Sequence, residues 1–218
     1  MPRPFRITAG GFCYHVINRG NGRAEVFHKL DDYAAFVRLI GEACERVPMR
    51  LLAWCLMPNH FHLVVCPHED GDLSTWMQWL MTSHVRRYHR HYHTAGHVWQ
   101  GRFRSFPIEE DEHLLSVVRY VELNPVRATS LDVSRVADWP WSSAGRPLGI
   151  APPSLDLEEI FPDARARLPH RLTQSQLDQI KRSLDRGSPL GSPRWQKRTA
   201  KQLGLQSTLR PRGRPRKK

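Results

Sequence analysis

Two runs of strand-forming residues, MRLLAWCLM (49–57) and HFHLVVCP (60–67), are separated only by Pro58 and Asn59. A two-residue connection with turn chemistry between such runs forces an antiparallel hairpin, so any fold of this chain must contain a sheet built around it. Successive side chains of a strand point to opposite faces. His60 and His62 therefore share one face of the second strand, and Phe61 and Leu63 share the other.

The flanking sequence supplies the other elements. FCYHVIN (12–18) reads as a strand. DDYAAFVRLIGEACERV (31–47) reads as a helix with Asp31 placed to cap it. Leu73, Met77, Leu80, Met81, His84 and Tyr88 recur at helical spacing and predict a long helix over 73–92. HVWQGRFRSFPIE (97–109) reads as extended, and DEHLLSVVRYVELNPVRA (111–128) as a helix with acidic residues in its first turn, where the helix dipole favours them. The order strand, helix, strand, strand, helix, strand, helix predicts an α+β domain over residues 1–145, an antiparallel sheet covered by helices. Residues 146–172 are rich in Pro, Gly and Ala and read as a linker with at most a short helix. Helices are predicted over 173–185 and 193–203 of a C-terminal extension spanning 173–218. The last nine residues, RPRGRPRKK, carry nothing to bury.

The formal net charge is +12, and its placement is uneven. Of the 33 Lys and Arg, 16 lie after residue 163 against only Asp178 and Asp185, so the C-terminal quarter holds all the excess. A basic tail on a near-neutral domain suits a polyanion partner, because neutralising phosphates releases condensed counterions; a solvated, solubilising tail is the plain alternative. No apolar run is long enough to span a bilayer, and MPRPFRITAGGFCYHV lacks the apolar segment of a signal peptide, which predicts a cytoplasmic, nucleoid-associated protein that does not engage membranes. Cys13, Cys44, Cys55 and Cys66 are widely spaced, form no CxxC pair, and read as reduced, mostly buried thiols.

Two imidazoles side by side on a strand suit one divalent ion, although a His-x-His pair by itself more often marks hydrogen-bonded or partly exposed histidines. Tyr120 and Asn124, four residues apart on the 111–128 helix, lie on one face and supply what the pair lacks. Pro125 removes a backbone donor and should kink the helix there. The Asn124 amide oxygen can complete a His-His-Asn set. A tyrosine beside a metal ion can attack phosphorus, because the ion polarises the phosphoryl oxygens and favours the phenolate.

Taken together, MPNHFHLVV and RYVELNPVRA, with GGFCYHVINRGNGRAEVF, HVWQGRFRSFPI and DWPWSSAG in that linked order, resemble the HUH-type single-tyrosine transposases and, more closely, the REP-associated tyrosine transposases. The resemblance covers about residues 10–145. It implies a ferredoxin-like or RNA-recognition-motif-like sheet, with the histidines on a central strand. It implies a metal-dependent endonuclease and strand transferase acting on palindromic single-stranded hairpin DNA through a 5′-phosphotyrosine. His60 and His62 would be metal ligands, Tyr120 the nucleophile and Asn124 the third ligand, at a position where the wider family more often carries Gln. The implied cofactor is Mg²⁺ or Mn²⁺. The larger transposases of this type exchange the tyrosine helix in dimers, whereas the REP-associated relatives resemble monomers. A rival reading is a regulator that binds such hairpins without cutting them; a phosphodiester hydrolase would not need Tyr120.

Candidate DNA contacts lie elsewhere in the chain. Asn18 and Arg19 sit in a glycine-flanked loop, and Arg102 and Arg104 of GRFRS share a face opposite Phe103. HVRRYHRHYHTAGH, with Arg86 and Arg87, reads as a solvated basic surface, and its Tyr88 is the rival nucleophile. The tail residues Arg210, Arg212, Arg214, Arg216, Lys217 and Lys218 surround an Arg-Gly-Arg-Pro core that resembles an AT-hook, an extended segment suited to a narrow minor groove.

Overall fold

The computed structural model describes residues 8–145 and 155–210. The expectations placed on residues 146–154 of the linker, and on the tail from residue 211 onward with Arg212, Arg214, Arg216, Lys217 and Lys218, lie outside them.

Four strands form one antiparallel sheet: β1 (Cys13–Arg19), β2 (Met49–Met57), β3 (His60–Pro67) and β4 (Arg104–Ile108). Their order is β2-β3-β1-β4, so β1 and β3 are the central pair. With α1 (Leu30–Arg46) between β1 and β2, and α2 (Asp72–Tyr92) between β3 and β4, the chain traces the β-α-β-β-α-β path of a ferredoxin-like fold. The Pro58-Asn59 turn sets Met57 opposite His60 and so fixes the register of the hairpin.

The alternation predicted for β3 is realised on both faces. Phe61, Leu63 and Val65 join Tyr14, Val16 and the inner residues of α1 and α2 in one core. Val64 and Cys66 join Cys13, Phe106 and Ile108 in a second core under α3 (Glu112–Glu122), which contributes Leu114, Leu115, Val117, Val118 and Val121. The sheet is thus buried on both sides, and the face that carries the histidines is the one under α3.

Several expectations are corrected. The cap of α1 comes from Asp32, whose carboxylate accepts the backbone N–H groups of His28 and Lys29; Asp31 is one residue too early to reach them. The predicted 111–128 helix ends at Glu122, and a single turn, α4 (Asn124–Arg127), resumes after Leu123, because Pro125 has no N–H to continue the ladder. Cys13 and Cys66 are not reduced thiols but a disulfide, with Cα atoms 4.3 Å apart. Tyr14 pairs with Val65, so the next positions of β1 and β3 place the two cysteines face to face, a juxtaposition that a 53-residue separation hides. Cys44 and Cys55 are free. His84 is no part of a solvated surface: it is buried against Phe27, Phe36 and Trp99.

Segments after residue 138 cover both sheet edges. Leu56 N donates to the Trp141 carbonyl, Ser143 N to that of Trp54, and Asp156 N to that of Leu51, along β2. On the opposite edge Leu190 exchanges backbone bonds with Pro107 and Glu109 of the β4 segment. Unpaired edge groups would otherwise invite association with other chains. The short helices α5 (Leu157–Ile160) and α6 (Ala164–Arg167) and the longer α7 (Gln174–Arg186) add Leu157, Ala164 and Ile180 to the core beneath α3, and α8 (Pro193–Gln202) and α9 (Gln206–Leu209) follow. The buried Glu122 carboxylate pairs with Arg119 and Arg165, tying α3 to α6. Because Ile180 is fully buried among α3 side chains, Ile180→Ala should destabilise the fold by about 2–5 kcal/mol in urea melts followed by sheet signals. A melt unchanged from the parent would mean that α7 is not part of the cooperative unit.

Candidate active site

The α3-facing side of the sheet changes character along its length. Cys13, Cys66 and Ile108 lie at one end, and His15, Val64 and Phe106 form the next row. Beyond them Ile17, His62 and Arg104 face one another across three strands, and Arg19 stands directly opposite His60. α3 covers the apolar end, and its last turn brings Tyr120 to the polar end.

Each histidine has one ring nitrogen engaged. Asn59 donates its Nδ2 to the Arg23 carbonyl at 3.0 Å, which leaves Oδ1 to accept from His60 Nδ1–H at 2.6 Å. The proton of neutral His60 is thereby placed on Nδ1 and the Nε2 lone pair is kept available. His62 Nδ1 lies 2.9 Å from Nε2 of His15, so the nitrogen of His62 that remains is again Nε2. Burial, then the Arg19 charge, lowers the His60 pKa to about 4. Burial, followed by His15, His60, Arg19 and Arg127, holds His62 well below the ordinary histidine value. Both rings are neutral near pH 7, the form that ligates metal.

Tyr120 is 7% exposed, with its ring edge-on to those of His62 and His15 at centroid separations of 5.9 and 6.1 Å. Burial raises its pKa, while the charges of Arg127 and Arg19 oppose that rise. The Arg127 guanidinium lies over the ring, 4.8 Å from its centroid. The break after Glu122 turns Asn124 so that Nδ2 donates to the carbonyls of Tyr120, at 2.9 Å, and Val121, at 3.4 Å. These bonds use the amino end of the amide and leave Oδ1 as the acceptor end. Two neutral imidazoles and an amide oxygen lining one cleft are a donor set that fits a divalent cation.

That cleft has a volume of about 490 Å³, and His60, His62, Tyr120 and Asn124 line it together with Asn18, Arg19, Arg102 and Arg104. Asn18 spends its amide internally, donating to the Gly101 carbonyl and accepting from Arg19 N, so it anchors the loop that carries Arg102. Arg104 also donates to the Leu184 carbonyl. The other candidates lie away from the cleft. Arg87 pairs with buried Asp32 at 3.4 Å, Arg86 borders a separate groove beside Met77 and Phe103, and Arg210 is exposed after α9. Tyr88 is not near the histidine pair; its hydroxyl meets His28 Nε2 at 2.9 Å.

Four lining residues escaped the sequence: Ile17, Gln100, and Leu184 and Asp185 at the end of α7. His15 escaped as well, although its place in YHVIN, two residues from Ile17 on the same strand face, was a usable signal. Only the pairing register reveals that this face is also that of His62.

Residues 9–124 match the family model described as transposase IS200 like. The chain is 30% identical over 151 residues to a Haemophilus influenzae protein assigned to the REP-associated tyrosine transposases, a match spanning 64% of this chain and 83% of the relative. It is 26% identical over 139 residues to the REP-associated tyrosine transposase of Escherichia coli, spanning 63% and 78%. Among solved structures, a REP-associated tyrosine transposase bound to a REP hairpin shares the fold, with a TM-score of 0.50, 24% identity, and coverage of 65% of this chain and 81% of that one.

His15 and His84 have pKa values lowered by burial to about 3, and His60 to about 4, all from 6.5. A native state that keeps these rings neutral binds fewer protons than the unfolded chain at pH values below about 6.5, so stability rises with pH from about 4 to 6.5. Metal-free protein should therefore lose stability as the pH is lowered from 7 to 5. His84→Leu should make that loss shallower in urea midpoints compared at the two pH values.

Proposed function

The chain belongs to the IS200-like transposase family, and from that premise we propose that it is a metal-dependent single-stranded DNA endonuclease and strand transferase that acts on REP-type palindromic hairpins. The observation that carries this reading is that His60, His62, Tyr120 and Asn124, spread over 65 positions of sequence, line one cleft with three arginines. The relatives named for REP elements support the hairpin as the substrate class. Because one chain supplies the whole set, the reading favours action as a monomer.

In this mechanism His60 Nε2, His62 Nε2 and Asn124 Oδ1 would hold Mg²⁺ or Mn²⁺, which when bound polarises the oxygens of the scissile phosphate. Arg19, Arg102 and Arg104 bind the flanking phosphates and orient the strand. Tyr120 Oη loses its proton and attacks phosphorus in line; the new Tyr–O–P bond forms as the P–O3′ bond breaks, and the departing oxygen takes up a proton to become a free 3′-hydroxyl. The 5′-phosphate remains on Tyr120, and attack by another 3′-hydroxyl reverses the steps and joins strands. Arg127 over the ring stabilises the phenolate both when it attacks and when it leaves. In the same reading residues 1–145 supply the cutting and metal-holding side chains, and the basic stretch 173–218 adds phosphate affinity, with its tail occupying a minor groove.

Incubation with hairpin-bearing single-stranded DNA and Mn²⁺ should give a denaturant-resistant protein–DNA adduct with the parent protein and none with Tyr120→Phe. An adduct retained by that variant removes Tyr120 as nucleophile; a parent that binds hairpins but never forms an adduct is a non-cleaving hairpin binder. Arg102→Ala should weaken hairpin binding and reduce the magnitude of the log K against log salt slope by roughly 1. Deleting residues 211–218 should flatten the same slope, and an unchanged slope would exclude the tail from phosphate contact.

A further inference from the structure

We propose that His15 is a positioning residue that holds His62 in the tautomer and orientation needed to ligate the metal, an inference that rests on the metal site described above. His15 is fully buried on β1, in the row next to that of His62, where diagonal neighbours on paired strands come within reach of aromatic rings. The two imidazoles meet edge to edge, with centroids 5.0 Å apart and planes 17° from parallel, while Phe106 packs on His15 at 5.1 Å and Tyr120 stands edge-on to it. Its Nε2 is 2.9 Å from His62 Nδ1.

One proton lies between those nitrogens, and its location decides whether His62 can act. If His15 Nε2 carries it, neutral His62 must be protonated on Nε2, and no lone pair faces the cleft. With the proton on His62 Nδ1, His15 Nε2 accepts and His62 Nε2 is free to ligate. Asn59 does the same for His60, but with an oxygen that can only accept. His15 is a reversible acceptor. When it accepts, its own proton moves to Nδ1, a buried atom with no hydrogen-bond partner among the described residues. The ligating arrangement thus leaves an unpartnered N–H in an apolar setting, and metal coordination is what favours it over the alternative tautomer. The two histidine ligands are consequently not equivalent: His60 is preset, whereas His62 is set by its partner on β1.

The test compares Mn²⁺ affinity, read by calorimetry and by electron paramagnetic resonance without DNA, in the parent, His15→Leu, His15→Gln and His62→Ala. Leu fills the site without an acceptor and should lower affinity by about 10–100-fold. Gln supplies an acceptor oxygen at the end of a side chain of similar reach and should keep most of the affinity, and the metal-free melting temperatures report folding. Parent-like affinity in His15→Leu overturns the proposal, as does an equal loss in both variants, since affinity would then follow packing rather than the acceptor atom. A parent that binds no Mn²⁺, or a His62→Ala variant that binds it normally, overturns the metal site itself and this inference with it. Loss in His15→Leu with recovery in His15→Gln is the supporting result.

Discussion

The pairing of β1 with β3 at the centre of the sheet sets every other feature of the cleft. Because both faces of this sheet are buried, a slip of one residue would carry Phe61 and Leu63 toward α3 and drive His60 and His62 into the apolar core beneath α1 and α2. The two-residue turn at Pro58-Asn59 and the tightly packed aromatic core opposite exclude that alternative. Once the register is held, one sheet face presents a graded surface, from Cys13–Cys66 at the apolar end to Arg19 and His60 at the polar end. The helix α3 needs only to lie along this gradient, apolar residues over apolar residues, for its last turn to reach the histidines.

The cleft combines opposing electrostatic demands. The proposed metal site would need neutral imidazoles, and burial, helped by the arginines nearby, keeps them neutral. The proposed attack would need a phenolate at Tyr120, which the same burial opposes and the charges of Arg127 and Arg19 favour. Cations that keep protons off the histidines also favour loss of the proton from the tyrosine. A single arrangement of positive charge thereby serves both kinds of group. Aligning Tyr120 also depends on Glu122, since its buried carboxylate, paired with Arg119 and Arg165, secures the end of α3 just before the Pro125 break.

Residues 155–203 add a layer to this arrangement. Their backbone covers parts of both sheet edges, Ile180 enters the core under α3, and the end of α7 forms one wall of the cleft through Leu184 and Asp185. The cleft is therefore bounded by chain from both ends of the sequence, a natural consequence of placing a site where helix ends and strand ends meet.

The sequence by itself determined the hairpin, the face shared by His60 and His62, the closeness of Tyr120 to Asn124 four residues on, and the break at Pro125. All of these follow from periodicity and turn chemistry over fewer than about twenty residues, the range in which local backbone geometry dictates direction. Only the tertiary structure decided that Cys13 meets Cys66, that His15 lies against His62, that His84 belongs to the core, that Arg87 answers Asp32, and that α7 borders the cleft. Each of these depends on which strand or helix lies beside which, and in what register. Such pairings are selected by the burial of whole faces, which no local spacing of residues can encode.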